Sequence, residues 1–101
     1  MTNGYKILWT DFALIELKDT IEYIKENWTE RELQNLASEI EKTVNLLSHN
    51  PNLFQASDFK KEIRRVIVAK HNTLYYQVKD NTVEILSFFS NRQNPRIRKL
   101  K

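Results

Sequence analysis

The chain has 101 residues, 41% of them hydrophobic and 11% aromatic, with no cysteine and a net charge of +3. That length holds one domain, residues 1–101, and excludes two; the apolar content suffices for one compact core and excludes a disordered polyelectrolyte. Disulfides and cysteine-ligated zinc are excluded. With no stretch near the roughly 20 apolar residues of a membrane span and no charged leader before an apolar segment, a cytoplasmic protein is expected.

Residues 5–9 are short, aromatic and β-branched, and read as a strand. Thr10-Asp11 then offers a side-chain oxygen to cap a helix. Leu14, Leu17, Ile21, Ile24 and Trp28 recur at steps of three and four, which predicts a helix over 12–27 with that stripe facing inward. Thr29-Glu30-Arg31-Glu32 matches a capping box. Leu33, Ala37, Ile40, Val44 and Leu47 form the stripe of a second helix, which Asn50-Pro51 stops because proline disfavours helical geometry before it. Two amphipathic helices with almost no linker predict an antiparallel helical hairpin. Trp9 and Trp28 are expected to seal the core or the hairpin.

Residues 51–62 are polar and read as a loop crossing the sheet edge. Three strands follow, over 63–69, 73–79 and 82–89. Asp80-Asn81 supplies the last turn, since both residues tolerate left-handed backbone. The tail, 91–101, carries Pro95 and five basic residues. The fold class is therefore α+β. An N-terminal strand precedes a helical hairpin and a three-stranded antiparallel meander, with the helices on one face and the other face open. The N-terminal strand must pair within the sheet, because a lone strand leaves its backbone groups unsatisfied.

Charge divides along the chain. Residues 1–50 hold five Lys/Arg against nine Asp/Glu, a net −4, and residues 51–101 hold eleven against four, a net +7. A basic half invites an acidic or phosphate-rich partner.

Three segments carry a resemblance: Ile63-Arg64-Arg65-Val66-Ile67-Val68, Leu74-Tyr75-Tyr76, and Phe88-Phe89-Ser90-Asn91-Arg92-Gln93-Asn94-Pro95. In this order and spacing, over nearly the whole chain, they resemble the RelE/ParE superfamily of type II toxin–antitoxin toxins. The resemblance implies a growth-inhibiting toxin, of the kind found in plasmid-stabilization systems. A cognate antitoxin would bind it in a hetero-oligomer and silence it. RelE-like members cleave mRNA on the ribosome, and ParE-like members poison DNA gyrase; the shared fold does not choose between them.

Metal-free RNA cleavage needs a base, cations for the crowded phosphate and an acid for the leaving oxygen. The resemblance points to Arg64 or Arg65 on the second strand, Lys60 and Lys61 before it, and Arg92 after the last strand. Tyr75 and Gln93 complete the expected target-binding or nucleic-acid-binding set. Tyr75 and Tyr76 alternate faces, as do Arg64 and Arg65, and which arginine faces the open side stays undecided. No Tyr or His follows Arg92, where the ribonuclease branch carries one. Histidine is the side-chain type suited to acid–base work near neutral pH, which leaves His71 as the one substitute, and a turn residue with a satisfied hydrogen bond is its commoner role. His49, at a helix end, suits the helix dipole and is given no catalytic role. Arg96 and Arg98 are candidates for an acidic antitoxin segment. The Asn-Arg-Gln-Asn-Pro end resembles the ParE-like branch, so gyrase is the favoured target, ribosome-bound mRNA the alternative, and a non-toxic basic nucleic-acid-binding module a third reading. No metal and no cofactor are expected.

Overall fold

The elements run β1 (Lys6–Trp9), α1 (Asp11–Asn27), α2 (Glu30–His49), β2 (Ile63–Val68), β3 (Asn72–Lys79) and β4 (Thr82–Ser90). The computed structural model describes residues 4–52, 54, 56 and 62–90. The sheet order is β1-β4-β3-β2. β2, β3 and β4 form the expected antiparallel meander, and β1 joins its outer side parallel to β4, so the sheet is mixed.

Thr10 starts α1 by accepting a hydrogen bond from the Ala13 N–H at 3.3 Å. Thr29 does the same for α2, from the Glu32 N–H at 3.2 Å. These caps satisfy amide groups that have no partner inside the first turn. Both helices cover one face of the sheet. Leu74, Tyr76, Val83, Ile85 and Phe88 point into the core beneath them, together with Ala13, Ile24, Leu36 and Leu47. Trp9 packs on Phe88 with ring centroids 6.3 Å apart, which is the sealing role expected of it.

The buried stripe of α1 is rotated from the expected one. Ala13, Thr20 and Ile24 are buried, whereas Leu14 and Trp28 are 46% and 45% exposed. Small residues at 13 and 20 let the helix approach the sheet closely, and the Thr20 hydroxyl is satisfied by donating to the Glu16 carbonyl at 2.9 Å. A reading that weighs only large apolar side chains misses such a face. α2 shows the same effect more weakly: Leu36, Thr43 and Leu47 are buried, while Ala37 is exposed.

β1 reaches only as far as the Trp9–Ile85 pair. Beyond it the outer side of β4 is bound by α1 instead of a strand. The Thr10 N–H and hydroxyl both donate to the Ile85 carbonyl, at 3.1 and 2.8 Å. The Glu16 carboxylate accepts from the Phe88 N–H at 2.7 Å and the Ser87 hydroxyl at 2.6 Å. Between these anchors β4 carries a bulge, since Tyr75 pairs with Ser87 and Tyr76 with Ile85. Leu86 is the extra residue.

Among the described residues no helix is long and apolar enough to cross a membrane. The β2–β3 turn holds Ala69 at φ 52 and Lys70 at φ 69, and the β3–β4 turn holds Asp80 at φ 55. Asp tolerates that region, but Lys pays about 1 kcal/mol for it. Replacing Lys70 with glycine should therefore raise stability by up to about 1 kcal/mol despite the added freedom of the unfolded chain, read as a higher urea midpoint at unchanged slope. A lower midpoint would show that the turn is unstrained.

Candidate functional site

Directly opposed residues of neighbouring strands share a face, so the register defines the uncovered side of the sheet row by row. Lys6, Thr82 and Lys79 form the first row; Leu8, Glu84, Gln77 and Ile63 the second; Ser87, Tyr75 and Arg65 the third; Phe89, Thr73 and Ile67 the fourth. Gln77 donates to the Glu84 carboxylate at 2.8 Å. Ile63, Tyr75, Leu86, Ser87 and Phe89 line a shallow depression of about 420 Å³. Leu86 reaches it because of the bulge. Around it Leu8, Ile67 and Phe89 are 49%, 57% and 42% exposed. The described part of this face is thus an apolar hollow with one guanidinium, Arg65, beside it.

The two arginines part company. Arg65 pairs with Tyr75 on the open side. Arg64 pairs with Tyr76 on the helix side and donates to the Phe54 carbonyl. Tyr76 is fully buried and its hydroxyl donates to the Pro51 carbonyl at 2.6 Å. Together they tie the start of the 51–62 loop to the sheet, and Ala56 bridges to Arg64 at the β2 edge. Burial pushes the Tyr76 hydroxyl up from 10.0 to about 12, against the pull of the neighbouring Arg64 charge.

Of the residues expected at the site, Arg65 and Tyr75 stand together. His71 does not join them. It is exposed in the β2–β3 turn and lines a small cleft with Tyr23, Glu32, Asn35 and Asn72. His49 lies at the end of α2, its Nδ1 within 3.0 Å of the Asn45 carbonyl. Lys60, Lys61, Arg92, Gln93, Arg96 and Arg98 lie outside the described residues.

The model of the ParE toxin of the type II toxin–antitoxin system parDE matches residues 7–95. The chain belongs to the ParE toxin family. Solved structures agree in fold. A chain of the chromosomal ParDE system from P. aeruginosa superposes with a TM-score of 0.71 at 14% identity, covering 88% of this chain and 98% of that one. The YoeB dimer from Staphylococcus aureus gives 0.57 at 15% identity, over 86% and 97% of the two chains. The E. coli DinJ–YafQ toxin–antitoxin complex gives 0.57 at 13% identity, over 87% and 93%. No curated protein sequence matches the chain.

Within this ParE toxin, Glu16, Ile63, Leu86 and Phe89 shape the open face and were absent from the expected set. Their signal is faint but present. Val83, Ile85 and Phe88 are spaced by two and then three, a slip of phase that marks a bulge, and Phe88-Phe89 puts large aromatics on both faces.

Tyr76 carries a pH dependence with a definite sign. Its pKa is higher folded than unfolded, so its contribution to stability is intact below pH 10.0 and is lost as pH rises toward about 12. Tyr76→Phe should remove that alkaline component. At neutral pH it should lower stability by about 1–2 kcal/mol, because the Pro51 carbonyl loses its donor. Denaturation of both proteins across this pH range checks it; parallel profiles would refute the assignment.

Proposed function

We propose that the chain is a growth-inhibiting toxin that acts on DNA gyrase by binding and is silenced by a cognate antitoxin. Membership of the ParE family supports the toxin reading. The ParDE and DinJ–YafQ relatives are toxin–antitoxin systems, which supports an antitoxin as the partner here.

The observation that carries the choice of target is the make-up of the open face. An apolar hollow beside one guanidinium suits burial of a partner's side chain with a charge-assisted bond at its rim. General acid–base catalysis needs a titratable group within reach of the scissile bond. Among the described residues the face offers Tyr75, Glu84, Lys6 and Lys79, with Glu84 engaged by Gln77 and the two lysines in the row furthest from Arg65, and the segment after Arg92 contains neither Tyr nor His. Arg65 is the residue expected to make the charged contact.

Induction of the chain in bacteria should arrest growth, and co-expression of the neighbouring antitoxin should restore it. The purified toxin should inhibit supercoiling by purified gyrase, and Arg65→Ala should weaken that inhibition by about tenfold or more. Cleavage of mRNA only in the presence of ribosomes, with gyrase untouched, would replace this reading with the RelE-like one.

A further inference from the structure

Two surfaces of opposite character adjoin along the outer side of β4. The first is the outward side of α1. Phe12 and Ile15 are 59% and 58% exposed there. Asp11, Asp19, Glu22 and Glu26 share that side at helical spacing, all exposed, against one lysine, Lys18. The second is the open face of the sheet, with its apolar depression at Leu86 and Phe89. Its described cations are Lys6, Arg65 and Lys79. Its one described carboxylate, Glu84, is engaged by Gln77. The Glu16 hydrogen bonds make the two surfaces neighbours. Glu16 holds Ser87, which lines the depression, and Phe12 lies one turn back along the same helical ridge.

We propose that the chain self-associates through these surfaces. The α1 ridge of each copy docks Phe12 and Ile15 on the Leu86–Phe89 depression of a second copy, and a two-fold axis near the outer side of β4 makes the contact reciprocal.

Adjacent, mutually complementary patches are what a closed two-fold dimer requires, since each copy presents both halves of the contact. The charges fit the same way: the acidic ridge meets a face on which cations outnumber free carboxylates. An acidic peptide or a nucleic acid would be repelled by the ridge, and a basic partner by the face. A second copy satisfies both at once. It also removes from water a run of large apolar side chains that single surface residues would not need explained. On the functional reading above, such a dimer hides the face that meets the target. The association itself is measured without reference to any target, so the two readings fail separately.

Sedimentation velocity on the full-length chain at about 1–100 µM should show a concentration-dependent shift from monomer to dimer, a range in which a modest interface populates both states. High salt should weaken the dimer, because charge complementarity contributes to it. Ile15→Glu and Arg65→Glu, both at accessible positions, should each raise the dissociation constant at least about tenfold with unchanged far-UV circular dichroism. A monomer at every concentration overturns the proposal. So does a dimer indifferent to both substitutions, or an antitoxin that binds these residues on a chain that never dimerises.

Discussion

The architecture depends on how α1 replaces a strand. A β-strand edge presents unpaired N–H and C=O groups that must find partners. β1 stops at Ile85, and the rest of β4 would have an unprotected outer side. Thr10 takes the Ile85 carbonyl twice, and Glu16 takes the Phe88 N–H and the Ser87 hydroxyl. One residue before the helix and one in its second turn thus fasten α1 along the strand it would otherwise only lean against.

That fastening decides what faces water. The bulge between the two anchors shifts the phase of β4, so Val83 and Ile85 before it and Phe88 after it all reach the core. Leu86 is left over and turns to the open side, where it helps line the depression. With both helices held on one face, the opposite face keeps Arg65, Tyr75 and Phe89 accessible. The proposed action by binding uses this face.

Much of this was legible in the residues. Strand, hairpin and meander follow from periodicity, and the caps at Thr10 and Thr29 and the stop at Asn50-Pro51 are local chemistry that tertiary contacts do not override. The buried face of α1 departs from the stripe of large apolar residues because close packing favours Ala13 and Thr20 over the larger Leu14 and Trp28. Alternation placed Arg64 and Arg65 on opposite faces, but which face was which depended on register and on the carbonyls of Pro51 and Phe54, set by long-range folding. The role of Glu16 was invisible for the same reason. Its partners lie 71 and 72 residues away, and in the sequence it is one more acid on an amphipathic helix.

The most direct test is amide hydrogen exchange along β4. If Glu16 closes the outer side of the strand, the Phe88 amide exchanges as slowly as the core amides of β3 in the native chain. In Glu16→Ala it exchanges faster than they do, while Val83 and Ile85, flanked by β1, stay protected. A Phe88 amide that exchanges freely in the native chain, or one that stays protected without the Glu16 carboxylate, would contradict the account.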